Sequence, residues 1–435
     1  SFLLFLTWLP KGRPYFKRRI AEVISINPET LPVKEDFLAF LKEEKARGRK
    51  IVLATASDQI IADKVANHFQ IFDEVVASNG GENLAGSKKA AELVRRYGEK
   101  GFDYAGNEIR DFKIWDHADE AIVVHADKLL VEQAKKRYEK VRVFAKPPYK
   151  LSDILRGIRA HHWMKNTLIF VPAITGHGIF LAPVFFHSLI AFLAWSLSSS
   201  GIYLINDLLD LQTDRAHVTK KNRPLAKGIF SIRDTVIAAT LFFTISFFLA
   251  LLLPSMFLLT LAVAVLTSFA YSIFIKLIPL LDVIVLSLLY TLRIIGGGVA
   301  TSIFISHWLL CFSMFFFLSI AFAKRYVELR SSSTLSSRRR YSEQDSTLLF
   351  QSGLISGYIS SLVLALWLSS AEIAKLYHYP ALLWALVPLV LYWSNRLWSL
   401  ALKNQLDEDP VSFAIHDRTS HIILALMMLA LLLSA

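Results

Sequence analysis

Tyr203-Leu204-Ile205-Asn206-Asp207-Leu208-Leu209-Asp210-Leu211-Gln212-Thr213-Asp214-Arg215 ends an apolar run that begins near Phe186, and it sets three aspartates where a membrane helix gives out. At about 100° per residue, Asp207, Asp210 and Asp214 fall on one stripe of a helix, with Asn206 beside Asp210. Clustered carboxylates repel one another. A hard divalent cation such as Mg²⁺, which prefers oxygen ligands and keeps several waters, is their natural partner. Arg215, Lys220, Lys221, Arg223 and Lys227 follow, which suits a phosphorylated substrate meeting the metal. The plainer reading is a solvated acidic helix end. Carboxylates at a membrane boundary are costly unless they hold something, and that favours the metal.

Working outward, the chain has 435 residues, 54% hydrophobic, with a formal charge of +12 and a mean hydropathy of +0.43. A soluble protein of this length would not be so apolar, and the excess lies after Lys150. Lys and Arg sit in short loops between apolar spans, so anionic lipid and phosphate are the expected partners, not nucleic acid. Cys311, the lone cysteine, excludes an internal disulfide and a cysteine zinc site, and reads as inert packing. With Ser1 first and Met164 the first methionine, the chain reads as a fragment or a processed product. Phe2–Pro10 is too short to span a bilayer and lacks a basic flank, so it is no signal peptide.

Two domains are expected, 1–150 and 151–435. In the first, β-rich runs (Ile51–Ala54, Glu74–Ala77, Asp103–Ala105, Ala121–Val124, Val141–Phe144) alternate with helical patterns (Asp58–Phe69, Ser87–Tyr97, Ile109–Ala118, Asp127–Glu139). That alternation predicts an α/β, Rossmann-like parallel sheet covered by helices. Pro147-Pro148-Tyr149-Lys150 is the expected linker. Beyond it, about nine apolar spans, near 164–181, 183–205, 232–253, 255–275, 278–301, 306–323, 354–373, 380–400 and 421–435, predict an all-α polytopic membrane bundle. Loops predicted inside carry Arg215–Lys227, Lys276, Lys324–Arg340 and Lys403–Arg418. Those predicted outside, around 176–183, 254 and 301–306, lack Lys and Arg, and the one around 372–379 has Lys375 alone. This bias orients the first domain and every candidate loop toward the cytoplasmic side of a bacterial-type inner membrane.

Four segments meet at that face. Arg156–Asn166 leads into the first span, with Lys165 and Asn166 slightly inside it; its basic residues and Trp163 also read as interfacial anchors. The aspartate stripe is the second. The third joins Tyr271, Ser272, Lys276 and Asp282 with Arg293, which lies near mid-span and requires a polar cavity or partner. Asp282 and Arg293, three turns apart, face one cavity from one helix, or else form an ion pair between spans. The fourth is Lys324-Arg325-Tyr326-Val327-Glu328, with Tyr341 beyond; Lys324 and Glu328, four apart, are placed to pair with each other.

In this order the segments resemble the UbiA superfamily of membrane-embedded prenyltransferases, from about Leu151 to Ala435. Asn-Asp-x-x-Asp-x-x-x-Asp at Asn206–Asp214, followed by Arg223-Pro224-Leu225, carries the resemblance. Within it, the chain is most similar to the decaprenyl-phosphate phosphoribosyltransferase branch, through Trp163-x-Lys165-Asn166, Tyr271-Ser272, Lys276, Asp282, Arg293 before Gly296-Gly297, and Lys324-Arg325 with Glu328. The resemblance implies Mg²⁺ on Asp207, Asp210 and Asp214, with Asp207, Asp210, Lys276 and Asp282 in catalysis. It implies substrate contacts from Lys165, Asn166, Asn206, Arg223, Tyr271, Arg293, Lys324, Arg325 and Glu328. Aromatic prenyltransferases of the superfamily usually carry a second acidic cluster, whereas here Asp282 stands with Lys276 and Arg293. The expected reaction is therefore phosphoribosyl transfer from phosphoribosyl diphosphate to a polyprenyl phosphate. Prenylation of an aromatic or quinone-precursor acceptor, and non-catalytic lipid binding or transport, are the alternatives.

Over about Phe37–Phe144 the order of elements resembles the haloacid dehalogenase (HAD) superfamily of phosphohydrolases. Thr55 matches its phosphate-binding Thr/Ser, Lys88 or Lys89 its lysine, and Asn107 with Asp111 its acidic metal motif. The family's nucleophile lies in an Asp-x-Asp strand, and none precedes Thr55; Asp36 sits in a helical context. No phosphatase activity is expected by that route. An intact domain of this kind would dephosphorylate the phosphoribosyl lipid made next door.

Overall fold

The computed structural model describes residues 12–23, 26–217, 219–331, 341–406 and 410–434. The Phe2–Pro10 stretch lies outside them. The chain divides into two compact units: Ser1–Leu151 with Gln212–Ile229, and Ser152–Leu211 with Phe230–Ala435.

The first unit opens with α1 (Arg13–Val23) and α2 (Glu35–Ala46), then alternates β1 (Val52–Asp58), α3 (Gln59–Phe69), β2 (Glu74–Ser78), α4 (Ser87–Tyr97), β3 (Tyr104–Gly106), α5 (Phe112–Trp115), β4 (Ala121–Val124), α6 (Lys128–Arg137) and β5 (Val141–Phe144). Asp58 caps α3 by accepting from the Ile60 N–H at 3.1 Å, and Gln70 stops it in the left-handed region at φ 53°. Leu93, Ile114, Trp115, Val123, Leu130 and Ala134 form the core, and the Trp115 indole donates to the Tyr104 carbonyl at 2.8 Å.

All five predicted strands form, and all pair in parallel, but not in one sheet. β1 pairs with β2, while β3, β4 and β5 make a separate sheet. Between β1 and β3 lies a cavity of about 440 Å³, lined among others by Phe37, Phe40, Leu53, Phe72 and Phe102. The Ile51 carbonyl accepts from Asp73 on the β2 side. Alternate residues of a parallel strand address opposite neighbours, so Val52 and Ala54 address the cavity. Arg49 bridges its lower end to Asp103 at 2.7 Å.

The second unit starts with α7 (Leu151–Gly157), a 3₁₀ stretch over Ala160–Phe170 and α8 (Val171–Thr175). Next comes α9 (Ala182–Leu209), opened by Pro183, where a missing N–H costs nothing. The chain then enters the first unit's segment with α10 (Leu211–Ala216). It returns through α11 (Ile232–Ala250), α12 (Ser255–Ile273), α13 (Leu281–Thr301), α14 (His307–Ser331), α15 (Asp345–Leu368), α16 (Ala371–Leu376), α17 (Leu386–Leu402), α18 (Pro410–His416) and α19 (Arg418–Ser434).

Among the described residues six helices, α9 and α11–α15, are long and apolar enough to cross a membrane. The other three expected spans differ. The first is the 3₁₀ stretch plus α8, the eighth a 3₁₀ turn before the 17-residue α17, and the last the 17-residue α19. The first is not one α-helix because its polar residues turn inward to bond α9 and α13. Peripheral α11 and α12 expose Ile237, Leu241, Phe248, Leu259 and Leu266, as lipid-facing helices do. α9 and α13 are the most enclosed. Gly297 lets α13 approach the 3₁₀ stretch closely: a Cβ there would lie 2.0 Å from the Ile169 carbonyl oxygen. Buried serines join the bundle, with Ser246 Oγ donating to the Ala194 carbonyl at 2.7 Å and meeting Ser198 Oγ at 2.7 Å.

Candidate active site

The aspartates do not share one helix. α9 ends at Leu209, and Asp210 caps it with φ −93° and ψ 6°, so Asp214 falls on α10, in the segment counted with the first unit. There Asp214 is buried and accepts from Arg223 at 2.5 Å, while Arg215 Nε donates to the Ala226 carbonyl at 3.3 Å. Partial burial holds the Arg215 guanidinium below its ordinary value. Arg223, expected at the substrate, is thus a partner of Asp214.

Within the second unit the end of α9 carries Asn206, Asp207 and Asp210. Asn206 donates to Ser272 Oγ of α12 at 2.9 Å. Asp207, buried, accepts from Arg159. Asp210 is more open, and its carboxylate lies 3.9 Å from Lys276 Nζ. The motif thus tethers its amide, buries one carboxylate against a guanidinium and leaves the other near an ammonium. Arg159 had no assigned role in the sequence; its signal was its place just before the Trp163–Asn166 motif.

Deeper lies a second cluster. Asp282 in the first turn of α13 is 0% exposed and accepts from Arg325 Nε and, at 2.7 Å, from the Tyr341 hydroxyl. Arg325 also donates to Glu328 and to the Tyr271 hydroxyl. The Tyr341 hydroxyl accepts from the Leu280 N–H at 2.7 Å, where Leu280 holds a left-handed φ of 66°. Arg325 is thus engaged by three protein side chains, Asp282, Glu328 and Tyr271. Lys324 is half-buried on α14.

Arg293 does not face Asp282. Its Nε donates to Asn166 Oδ1 at 2.8 Å, it also bonds the Leu289 carbonyl, and it lies 5.4 Å from the Tyr290 ring centre. Asn166 in turn donates to Ser196 Oγ at 3.0 Å. Arg293 finds the partner its mid-span position demanded, and Asn166 is the joint between the 3₁₀ stretch, α9 and α13. Lys165 beside it is buried too.

Among the described residues no three His, Cys, Asp or Glu side chains converge as a metal site. Asp207 and Asp210 nevertheless fit Mg²⁺, which commonly takes one or two carboxylates and completes its shell with water and substrate phosphate.

In the first unit, Thr55 lies within β1, its Oγ1 accepting from the Ser57 N–H at 3.1 Å. Asp111 is buried, and its Oδ2 accepts from the N–H groups of Asn107 at 2.9 Å and Glu108 at 2.8 Å. Lys88 points to solvent and pairs with Glu82 at 3.3 Å. Lys89 is the buried lysine: it donates to the Tyr104 hydroxyl at 3.1 Å and approaches the Ala54 carbonyl at 3.4 Å. Burial holds its ammonium below the ordinary lysine value and pushes the Tyr104 phenol up.

Comparison with known proteins bears on this arrangement. Residues 169–433 match the model of the UbiA prenyltransferase family. The chain belongs to that family. Residues 5–112 match haloacid dehalogenase-like hydrolases. A relative of this UbiA chain, the uncharacterized protein y4nM of Sinorhizobium fredii, is 37% identical over 425 residues, 96% of this chain and 82% of that one. The decaprenyl-phosphate phosphoribosyltransferase of Mycolicibacterium smegmatis is 34% identical over 197 residues, 44% of this chain and 62% of its own length. A solved UbiA homolog from Archaeoglobus fulgidus bound to GPP and Mg²⁺ is 17% identical, covering 64% of this chain and 99% of that one, at a TM-score of 0.49. The chain is thus a UbiA-family transferase with a membrane-spanning helical domain and an N-terminal HAD-like region.

Proposed function

We propose that this UbiA-family member transfers 5-phosphoribose from phosphoribosyl diphosphate to a polyprenyl phosphate, releasing diphosphate. The reading rests on one observation above others: Asp282 has both oxygens engaged by Arg325 and Tyr341. A prenyl-diphosphate chemistry with a second acidic metal cluster finds no free carboxylate there. What remains is a single acidic pair, Asp207 and Asp210, beside Lys276. That suits one substrate bearing diphosphate and another bearing monophosphate.

Asp207 and Asp210 would hold Mg²⁺, which when bound offsets charge on the departing diphosphate. Lys276 is near enough to Asp210 to meet a phosphate that the pair has drawn in. Asn206, fixed by Ser272, has its amide oxygen left for the ribose hydroxyls. The bond from the anomeric carbon to diphosphate breaks as a lipid phosphate oxygen bonds that carbon. The nucleophile is already ionised at pH 7, so the site needs no strong base. The buried network of Asp282, Arg325, Glu328, Tyr271 and Tyr341 keeps α12, α13 and α14 in fixed register around the reacting groups. Loop charge orients the site toward the cytoplasm of an inner membrane.

The test uses purified membranes with labelled phosphoribosyl diphosphate and polyprenyl phosphate, with and without Mg²⁺. Labelled lipid should form only with Mg²⁺, and Asp207→Asn and Asp210→Asn should each reduce turnover by at least about a hundredfold, the scale of losing one electrostatic stabiliser. Consumption of an allylic diphosphate with an aromatic acceptor would replace this reading with prenylation. Lipid binding without turnover of either donor would leave a transport or carrier role.

A further inference from the structure

Arg159 sits at a point of unusual constraint. Its backbone is left-handed, φ 52° and ψ 48°, a conformation that a non-glycine residue keeps only where the surroundings enforce it. The enforcement is visible. Ser200 Oγ donates to the Ile158 carbonyl at 2.8 Å and accepts from the Trp163 indole at 2.9 Å, pinning both sides of the turn to α9. The side chain then runs over the Tyr203 ring, 4.8 Å from its centre, and pairs with Asp207 one helical turn further on. Both charges are largely withdrawn from solvent, at 18% and 7% side-chain exposure.

A carboxylate so enclosed requires a counter-charge. A guanidinium and a divalent cation cannot both have full use of the same oxygens, so Arg159 competes with any metal that Asp207 takes. The competition ends if something else receives the guanidinium. Diphosphate is suited to that, because its oxygens match the guanidinium's planar fork. The Tyr203 face offers a surface across which the fork can turn without being dissolved away.

We propose that Arg159 is an exchange residue that makes metal and diphosphate bind together. It neutralises Asp207 while the site is empty, and passes to the phosphate oxygens when a metal-diphosphate complex arrives. This rests on the functional reading above, in that Asp207 is taken as a metal ligand. By linkage, the gain that diphosphate gives the metal must equal the gain that the metal gives diphosphate. The consequence is selectivity: free metal or free phosphate ester binds poorly, and the paired complex binds well.

The test uses the full chain in neutral-lipid nanodiscs, with Mn²⁺ followed by electron paramagnetic resonance and labelled inorganic pyrophosphate followed by retention at fixed Mn²⁺. Arg159→Ala should bind Mn²⁺ alone about tenfold more tightly than wild type, and the Mn²⁺–pyrophosphate complex about tenfold more weakly, within the usual span of coupling between sites. Arg159→Lys, which keeps charge but loses the fork, should keep the weak Mn²⁺ affinity and still lose pyrophosphate. If both affinities move in the same direction in Arg159→Ala, or neither moves, the exchange role is overturned. Asp207→Asn in the wild-type and Arg159→Ala backgrounds separates the two readings. Mn²⁺ binding that needs Asp207 but ignores Arg159 overturns the exchange alone, whereas binding indifferent to Asp207 overturns the functional reading and the exchange with it. Thermal melting of each variant establishes that the comparison is made on folded protein.

Discussion

Replacing Asp282 by Asn should damage stability before it damages chemistry. The side chain is fully buried, with Arg325 on one oxygen and Tyr341 on the other. Removing one member of a buried ion pair typically costs about 3–5 kcal/mol, because the remaining charge is left in a poor solvent. Glu328 and Tyr271 still hold Arg325 in the variant, which places the expected loss near the lower end, about 3 kcal/mol. For a domain of a few hundred residues that corresponds to a fall in melting temperature of roughly 6–12 °C. The assay is thermal unfolding in nanodiscs, monitored by tryptophan emission. Tyr341→Phe should cost about 1.5–3 kcal/mol, because its hydroxyl serves both the Asp282 carboxylate and the Leu280 N–H. The double variant should fall short of the sum by about 0.5–3 kcal/mol, since one network is being broken twice. An Asp282→Asn protein that melts with wild type yet has lost turnover would refute the argument and return Asp282 to the reacting groups.

Gly297→Ala should destabilise the bundle by at least about 1–3 kcal/mol, the usual scale of overpacking, since the new methyl meets a backbone carbonyl; wild-type melting would show that α13 can shift away. Lys89→Ala should loosen the first unit, read as faster hydrogen exchange across β1 and β3, whereas Lys88→Ala should leave exchange there unchanged. The Glu74 carboxylate is held down to about 2 by Lys50, Tyr97 and Arg96. Its folded value is below the ordinary 4.5, so its contribution is complete above that pH and is lost as pH falls from about 4.5 to 2. The group is partly exposed, so the contribution should be under about 1 kcal/mol; Glu74→Gln should flatten that part of the acid-unfolding profile.

The elements that the sequence made legible are those written locally. The five strands of the first unit and the long apolar helices follow from residues adjacent in the chain. Asn206, Asp207 and Asp210 were recognisable because a membrane boundary gives carboxylates few ordinary uses. What was not legible depended on partners far away in sequence. Nothing near Arg325 says that Asp282, 43 residues back, occupies it. Nothing near Asp207 says that Arg159, 48 residues back, reaches it. The stripe of three aspartates assumed one continuous helix, and the turn at Asp210 removed that assumption. Lys88 and Lys89 differ by one position, and only the packing of α4 decides which faces inward.

The split sheet of the first unit bears on how that unit comes apart. β1 and β3 are stitched at one end by Arg49 and Asp103 and at the other by Lys89, with no ladder between. Two half-shells joined by side chains rather than by backbone yield at the seam before they yield anywhere else. Val52, Ala54, Asp103 and Ala105 should therefore be the first amides to trade protons with water, and a protease given time should find this crease long before it finds the helices.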